Sequence, residues 1–502
     1  WDFDLSVSTG AGAGDITFAG ALDSVSRAAY DITLTAGTGD IIFAGAVGNT
    51  RALDAVTITS AATLDTDSVF KAASFTQVAG SVLTQFDGAV TLSGAFDFNG
   101  EALTLNAALA AGGAVSITNA GLLTVADNAT ITAEGGFTQD GAGLMRLGAD
   151  ITTTDTGITI GSALTLLDDG TAGQGMTLST GSGAGAIQLS GITGGDGTTN
   201  NSLTLVSGSG ATTVSGAVTE INGLTVQAAG ADGTVTFEDH VTATRFTTAA
   251  GTYALSLQGG STTIADAVTF ANTGALTLGN DNGDTLVFTG GMTAATPSVV
   301  NVRGTVRAAG AAQISVGDSD TGVEVSGASV IGGVSTGNIT VAAVTLADGA
   351  GLTLGGNTAS NVSVVSIAGS DLGAVSDVTF NTAGAVTVTG AVGTDIGTLT
   401  LTRGEGITFQ NTVQADTLAM ANNVAQSGNL LSFQDNVTVN TGMTVGTGSY
   451  DISFTGAANT IAGNTTFGTS GTVTLGDATT DSITFTGGLT ATAPVKVVTA
   501  GT

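Results

Sequence analysis

Short runs in which apolar and polar residues alternate recur along the whole chain. In the run DITF at residues 15–18, Ile16 and Phe18 lie on one side of an extended backbone, while the Asp and Thr lie on the other. The phrase around this run, GDITFAGA at residues 14–21, returns as GDIIFAGA at residues 39–46. An alternation with a period of two predicts half-buried β-strands of about three to five residues.

The same alternation marks many further segments, and Gly, Asn, Asp or Thr closes nearly all of them. Gly and Asn tolerate positive φ, so the chain can turn a corner after a few residues. Thr and Val form helices poorly, and each interior Gly costs a helix about 1 kcal/mol. We therefore predict an all-β fold. Its predicted strands include residues 30–34, 55–59, 89–93, 102–106, 114–118, 202–206, 234–237, 275–278, 399–402 and 482–485.

The spacing of these strands indicates how they are stacked. Strand centres recur at irregular gaps of roughly 8 to 17 residues, and two neighbouring gaps often sum to about 20 to 25 residues, the length of one β-helix turn. We predict an elongated, right-handed parallel β-helix, or β-solenoid, of roughly 20–25 residues per coil. With about 22 residues and 4.8 Å per coil, the rod would be on the order of 110 Å long.

A set of β-sandwich domains of about 90 to 100 residues is the alternative architecture. Sandwiches use longer strands and usually an aromatic core, whereas this chain has 1 Trp and 5% aromatic residues. The solenoid is therefore favoured.

A long internal repeat overlies the short one. Residues 276–297 match residues 473–494 so closely that Pro297 and Pro494 coincide, and the match extends to residues 237–304 against 433–501. We interpret residues 1–502 as one continuous solenoid segment. Because residues 493–502 read as a strand inside a repeat, we expect the segment to be an excerpt of a longer repeat protein.

The three Tyr residues open one shared pattern of aromatic, any residue, apolar, Ser or Thr, apolar. They are Tyr30, Tyr253 and Tyr450. A Tyr at this place is predicted to be buried, with its hydroxyl bonded at a corner of the solenoid.

The charge balance restricts the partners. Nine Lys and Arg against 40 Asp and Glu give a net charge of -31, so we expect no nucleic-acid partner and repulsion from anionic membranes. No apolar run approaches about 18 residues, which predicts no membrane insertion by this segment. The absence of Cys excludes disulfides and thiolate metal sites.

Paired carboxylates are the candidates for catalysis, because β-helices also serve as polysaccharide lyases and hydrolases. The pairs are Asp65 with Asp67, Asp168 with Asp169, and Asp318 with Asp320. None has a neighbouring Lys or Arg in the sequence, and a water-exposed turn does not separate the pKa values of two carboxyls. We interpret all three pairs as solvated turns and assign no catalytic or cofactor-binding residue.

The single His, His240, aligns with Asn436 in the internal repeat. A position that accepts either residue is typical of a polar turn. One His also excludes a zinc site built from several His ligands.

Calcium is the one cofactor for which the sequence offers candidates, because hard cations bind Asp and Asn oxygens at turns. The candidate ligands are Asp281 and Asp284 in the loop at residues 279–284, and Asp318 and Asp320 in the loop at residues 317–322. Neither loop has the spacing of an EF-hand.

Several phrases carry a resemblance to a known class of proteins. They are ITFTGGLTATAP at residues 483–494, DITFAGA at 15–21, ITFQNTV at 407–413 and FTQDGAG at 137–143. Through these repeated phrases the chain resembles, over essentially its whole length, the very large bacterial surface proteins described as β-strand-repeat or filamentous-haemagglutinin-like adhesins. The resemblance implies a secreted right-handed β-helix, surface display, and a role in adhesion or filament formation. The chain departs from that class in showing neither a two-partner secretion domain nor an outer-membrane barrel.

Three functional hypotheses follow. The first is a non-catalytic structural rod of a secreted or cell-surface bacterial filament or adhesin, which self-associates and attaches to a surface carbohydrate or protein receptor. The second is a carbohydrate-binding or carbohydrate-cleaving β-helix. The third is a sheath or surface-layer protein whose lateral assembly depends on salt or divalent cations, because screening must overcome the charge of the chain.

Overall fold

The computed structural model describes residues 3–25, 29–167, 175–195, 201–228, 233–370, 373–423 and 429–502. These residues form an all-β parallel β-solenoid of about 21 turns with about 22 residues per turn, and none of them lies in a helix. The predicted parallel solenoid and its coil length are confirmed. In the described part of the chain, no helix is long and apolar enough to span a membrane.

The chain comprises two compact units, Trp1–Ala254 and Leu255–Thr502. Unit 1 contains the strands β1 (Leu5–Ser8), β2 (Ile16–Phe18), β3 (Ile32–Thr35), β4 (Ile41–Phe43), β5 (Leu53–Thr66), β6 (Phe70–Gln77), β7 (Gly80–Phe86), β8 (Val90–Leu92), β9 (Phe96–Gly100), β10 (Leu103–Leu105), β11 (Leu109–Ala111), β12 (Val115–Asn119), β13 (Leu123–Val125), β14 (Ile131–Ala133), β15 (Phe137–Gln139), β16 (Met145–Leu147), β17 (Ile151–Thr153), β18 (Ile158–Leu166), β19 (Gly175–Ser179), β20 (Ile187–Thr193), β21 (Ser202–Ser207), β22 (Thr212–Val214), β23 (Val218–Ala228), β24 (Thr234–Phe237) and β25 (Val241–Thr248).

Unit 2 continues in the same manner. Its strands are β26 (Ala254–Leu257), β27 (Ser261–Ile264), β28 (Val268–Thr269), β29 (Leu276–Leu278), β30 (Thr285–Phe288), β31 (Met292–Ala294), β32 (Val299–Ala308), β33 (Ile314–Val316), β34 (Gly322–Gly332), β35 (Ile339–Leu346), β36 (Gly351–Thr358), β37 (Val362–Gly369), β38 (Ser376–Thr382), β39 (Val386–Val388), β40 (Val392–Gly393), β41 (Ile396–Arg403), β42 (Ile407–Phe409), β43 (Val413–Asn423), β44 (Leu430–Phe433), β45 (Val437–Gly448), β46 (Asp451–Phe454), β47 (Ala458–Ile461), β48 (Thr465–Thr469), β49 (Thr472–Leu475), β50 (Ser482–Phe485), β51 (Leu489–Thr490) and β52 (Lys496–Thr499).

Within unit 2 each turn contributes to three parallel ladders, which we call sheets A, B and C. The inward residues of three successive turns show the register: Val300, Val323 and Val344 in sheet A; Val306, Ile331 and Leu354 in sheet B; and Ile314, Ile339 and Val362 in sheet C. All of these side chains are buried. The core is therefore a thin apolar column enclosed by three sheets.

Several strands are longer than the alternation predicted. The strand β5 has 14 residues, and β35 has 8. Each keeps an extended backbone through a corner, so that one strand belongs to two sheets: Thr340 of β35 pairs in sheet C, and Thr345 pairs in sheet A. The expectation of strands of about three to five residues is wrong at such corners.

Aromatic residues stack along the core with the repeat of the turns. The rings of Phe409 and Phe433 lie 5.1 Å apart and are inclined by 2°, and those of Phe433 and Phe454 lie 4.9 Å apart and are inclined by 6°. Such ring pairs contribute about 0.5–1.5 kcal/mol beyond the burial of their area. Stacking of like on like therefore stabilises the register as well as the core.

The prediction for the Tyr residues is confirmed for two of the three. Tyr253 and Tyr450 are fully buried, and their hydroxyls donate to the carbonyl oxygens of Ala249 (2.9 Å) and Gly446 (3.1 Å). Burial raises the pKa of each to about 12. Tyr30 is only partly buried.

Sheet C carries a row of hydroxyl side chains, which we call the hydroxyl row; Ser432 in it is buried, and the other members are exposed or half-exposed. Each member pairs in register with the next one turn above. The row consists of Thr269, Thr293, Ser315, Thr340, Ser363, Thr387, Thr408, Ser432, Ser453 and Thr474.

Candidate functional site

The Asp residues of the repeated phrase bond one turn of the solenoid to the next. The Oδ1 atom of Asp15 accepts a hydrogen bond from the peptide N–H of Asp40 (2.9 Å), one turn above. Asp40 in turn accepts from the peptide N–H of Thr63 at 3.0 Å. Because each carboxylate lies just before its strand, it satisfies an N–H group at the corner, where the sheet ladder is interrupted.

This arrangement, which we call the inter-turn carboxylate bond, occurs in both units. Asn oxygens make the same bond at some turns. The donors and acceptors are Asp31 N to Asp4 (3.1 Å), Ala55 N to Asp31 (3.0 Å), Thr177 N to Asp150 (2.7 Å), Thr398 N to Asp377 (2.8 Å), Thr472 N to Asp451 (2.6 Å), Ala385 N to Asn361 (3.0 Å) and Ala458 N to Asn436 (2.7 Å). Many of the acidic side chains thus have a structural role.

The first pair of calcium candidates caps its own loop. The Oδ2 atom of Asp284 accepts from the peptide N–H groups of Asn280 (2.7 Å) and Asp281 (2.9 Å), and Oδ1 of Asp281 accepts from Gly283 (3.0 Å). In the internal copy, Asp481 accepts from Asp477 and Ala478 at 2.9 Å each. These bonds, from Ala478 and then from Asp477, hold the pKa of Asp481 below its usual range.

In the second pair of candidates, Asp318 also accepts from peptide groups of its own loop. Oδ1 of Asp318 accepts from the peptide N–H groups of Asp320 (2.9 Å) and Thr321 (3.0 Å). Among the described residues, neither candidate loop forms a group of three carboxylates able to share one cation. Calcium at Asp281, Asp284, Asp318 and Asp320 therefore stays a prediction, with part of the carboxylate oxygens already bonded to backbone.

The described residues bring together one group of three carboxylates, and it lies elsewhere. Asp65, Asp67 and Asp87 each offer an oxygen within 4.8 Å of the others. Thr66 pairs with Phe86 one turn above, so Asp67 and Asp87 follow at the same point of adjacent turns. Carboxylate oxygens are the ligands that hard cations prefer, so this group could hold such an ion.

Within this group Asp65 is the perturbed member. Its Oδ1 atom is buried and accepts no hydrogen bond from the described residues, whereas Oδ1 of Asp87 accepts from the amides of Gln85 (2.8 Å) and Asn106 (2.7 Å). Burial, followed by the negative charges of Asp67 and Asp87, raises the pKa of Asp65. The sequence analysis identified Asp65 and Asp67 as a pair but missed Asp87. Its spacing of one turn from Asp67 is the feature that could have revealed it.

The remaining candidates for chemistry are dispersed. Nδ1 of His240 lies 2.9 Å from Oδ1 of the adjacent Asp239, and both side chains are exposed. The peptide N–H of His240 and then its side chain lower the pKa of Asp239. The pair Asp168 and Asp169 lies outside the described residues.

Two cationic side chains of unit 2 bond to amides instead of carboxylates. Nε of Arg303 donates to Oδ1 of Asn282 (3.0 Å), and Nη1 of Arg403 donates to Oδ1 of Asn357 (2.6 Å). Neither contact has the pairing of a basic residue with carboxylates that a polysaccharide lyase would need.

A shallow groove of about 490 Å³ crosses four turns of unit 2. Its lining includes Ser366, Thr394, Gln414 and Asn436, and it contains neither a charged nor an aromatic side chain. Such a surface offers hydrogen bonds but no acid–base pair.

Comparison of the chain with protein-family models, with curated proteins and with solved structures found no match.

Proposed function

We propose that this chain is a non-catalytic structural segment of a secreted or cell-surface bacterial filament or adhesin. The inter-turn carboxylate bond is the observation that supports the proposal most directly. An enzyme of this architecture would use its carboxylates on a substrate, whereas here many of them accept backbone N–H groups of the next turn.

The stacked core supports the same role. Inward rows of Val, Ile, Leu and Phe continue from turn to turn in each unit, so each turn is held by its neighbours and no closed pocket is needed. Such an array can build an extended segment from one short sequence pattern repeated many times. The expected environment is extracellular, and the expected partners are further copies of the chain and a surface carbohydrate or protein receptor.

Turnover is the test that separates this proposal from a carbohydrate-cleaving β-helix. The full chain is incubated with a panel of neutral and acidic polysaccharides, and reducing ends and unsaturated products are measured against an active lyase as positive control. We expect no product above the blank. Product that increases linearly with the concentration of the chain would overturn the proposal.

A further inference from the structure

We propose that the peptide bond between Asn282 and Gly283 is a site of self-modification, where the chain closes a succinimide ring, releases ammonia, and becomes aspartate or isoaspartate on hydrolysis. Contacts from Asp281, Arg303 and Ala328 prepare this peptide for the reaction. The inference goes beyond the proposed structural function and does not depend on it.

The nucleophile of this reaction is the peptide nitrogen of Gly283, which directly follows the Asn. Its N–H donates to Oδ1 of Asp281 at 3.0 Å, so a carboxylate is placed where it can accept the proton as the nitrogen attacks. Gly283 has no side chain to hinder the attack, and the loop is exposed to the water that hydrolyses the ring. The nucleophile and its base are therefore in contact before the reaction begins.

The electrophile is Cγ of Asn282, and two donors polarise its carbonyl oxygen. Nε of Arg303 donates to Oδ1 at 3.0 Å, and the peptide N–H of Ala328, two turns above, donates to the same oxygen at 3.2 Å. A Cβ atom at Gly327 would overlap this oxygen, so the lack of a side chain there lets the backbone approach it. A guanidinium and a peptide dipole thus stabilise the charge that develops on Oδ1 as Cγ becomes tetrahedral.

The orientation of the amide follows from these partners. Both of them are donors, so the atom between them is Oδ1 and not the amide nitrogen. The leaving group, Nδ2 of Asn282, makes no hydrogen bond to the described residues. Its departure as ammonia therefore breaks no contact with this part of the chain.

The step balances with water as the co-reactant. The nitrogen of Gly283 forms a bond to Cγ of Asn282, and the bond between Cγ and Nδ2 breaks. The proton that Asp281 receives passes to the departing nitrogen, which leaves as ammonia. Water then opens the ring at either carbonyl and gives aspartate or isoaspartate. Because the reacting groups belong to adjacent residues, ring closure is intramolecular and depends on their orientation.

The internal repeat shows that the loop folds without the activating residues. In the copy at residues 476–481, Ala, Thr and Thr stand where the first loop has Asp, Asn and Gly at residues 281–283, and Ala500 stands where it has Arg303. The final Asp of each loop nevertheless accepts the same two peptide N–H groups. The residues that prepare the reaction are thus separable from those that hold the loop.

The chain contains two further Asn–Gly pairs, which serve as internal controls. Asn99 and Asn222 lie within the strands β9 and β23, and the Gly that follows each is paired with the next turn. Neither Asn side chain makes a hydrogen bond to the described residues that would polarise its carbonyl. Both should therefore react slowly in the folded chain.

The test measures where the chain loses ammonia. The folded full chain, and the same chain unfolded in urea, are incubated at neutral pH, and peptide mass spectrometry with electron-transfer fragmentation measures Asn, aspartate and isoaspartate at each pair. In the folded chain, we expect Asn282 to react at least about tenfold faster than Asn99 and Asn222. Asn282 should also react at least about tenfold faster in the folded chain than in urea, because only the fold positions its base and donors.

Two substitutions separate activation from exposure. Asp281→Asn keeps an acceptor for the N–H group but removes the base, and Arg303→Ala removes the cation. Each should slow the reaction at Asn282 at least about tenfold. Arg307→Ala is the matched control, because it removes a cation from the same strand, β32, without removing a hydrogen bond to Asn282. Circular dichroism verifies that each variant is folded.

Equal rates at Asn282 in the folded and the unfolded chain would overturn the inference, and so would rates in Asp281→Asn and Arg303→Ala that match the parent chain. A faster reaction in Arg303→Ala would also overturn it, because the guanidinium would then hold the amide away from attack. None of these results bears on polysaccharide turnover, which tests the proposed function separately.

Discussion

At the scale of the residue, the acidic side chains show how a chain with so much negative charge folds. Asp40 both donates its N–H to Asp15 and accepts from Thr63, so one residue connects three successive turns. A hydrogen bond to a charged group contributes about 1.5–3 kcal/mol, more than a neutral one. The charge is thus placed where it stabilises the fold.

Replacement of Asp40 by Ala should weaken this connection locally. The peptide N–H of Thr63 loses its acceptor, and its hydrogen exchange should become about five- to tenfold faster, equivalent to roughly 1 kcal/mol. Asp40→Asn is the matched control because it keeps an acceptor oxygen. Hydrogen exchange measured by NMR or mass spectrometry checks both variants, and equal protection in Ala and Asn variants would contradict the structural role of the carboxylate.

Unlike the carboxylate of Asp40, the ionised carboxylate of Asp65 is predicted to destabilise the folded protein. Its pKa is raised in the folded protein by burial and by Asp67 and Asp87, so the folded state binds the proton more tightly than the unfolded state does. The free energy of unfolding therefore falls as the pH rises from the usual value of 3.8 through the folded pKa. Asp65→Asn should stabilise the protein at pH 7 by less than about 1 kcal/mol, because the side chain is partly exposed.

The gain from Asp65→Asn should disappear near pH 3, where the native carboxyl is protonated in both states. Thermal melts of the parent chain and the variant at pH 7 and pH 3 measure this difference. Asp67→Asn serves for comparison at a more exposed position. Destabilisation by Asp65→Asn at pH 7 would show that the carboxylate is needed there.

At the scale of the element, the alternation of apolar and polar residues was sufficient to predict strands and their stacking. Ile16 and Ile41, at equivalent places of the repeated phrase, do pair one turn apart. The corners were less predictable, because a corner residue that keeps an extended backbone looks like a strand residue in sequence. The site residues were least predictable: turn lengths vary, so the approach of Asp87 to Asp67 depends on a register that the sequence does not state.

The corners also contain positions at which only Gly allows the turns to approach each other. Gly356 and Gly351 lie in the same strand, β36. A Cβ atom at Gly356 would overlap the backbone of Gly333 in the turn below, whereas one at Gly351 would meet open space. Gly356→Ala should cost about 1–3 kcal/mol through steric overlap.

Gly351→Ala is the control and should be near neutral, since it adds a methyl group without a clash. Denaturant unfolding followed by circular dichroism compares the two variants with the parent chain. If the two substitutions had equal effects, the close approach of successive turns at Gly356 would be refuted.

The buried Tyr residues should make the stability of the folded protein depend on pH in the alkaline range. The pKa values of Tyr253 and Tyr450 are raised by burial to about 12, above the ordinary value of 10.0. The folded state holds these protons more tightly, so stability is retained below pH 10 and is lost as the pH rises toward 12. Tyr450→Phe should reduce this alkaline loss; melts at pH 8 and pH 11 check it, and an unchanged pH dependence would contradict the burial of the hydroxyl.

At the scale of the whole molecule, the proposed function depends on repetition. Within unit 2 each turn repeats the same three ladders, so rows such as the hydroxyl row arise without any residue being unique. The expectation of a single rod on the order of 110 Å stays a prediction. The structural proposal therefore depends on the geometry of the turns.

The most direct test of this geometry is the distance between labelled rungs of unit 2. The chain contains no Cys, so pairs of spin labels can be placed on exposed or half-exposed members of the hydroxyl row, for example Thr293 with Thr387 and Thr293 with Thr474. These positions are four and eight rungs apart in the ladder, and double electron–electron resonance should give distances of about 19 Å and 38 Å. A linear increase of about 4.8 Å per rung would support the stacked solenoid; distances that do not grow with the number of rungs would contradict it.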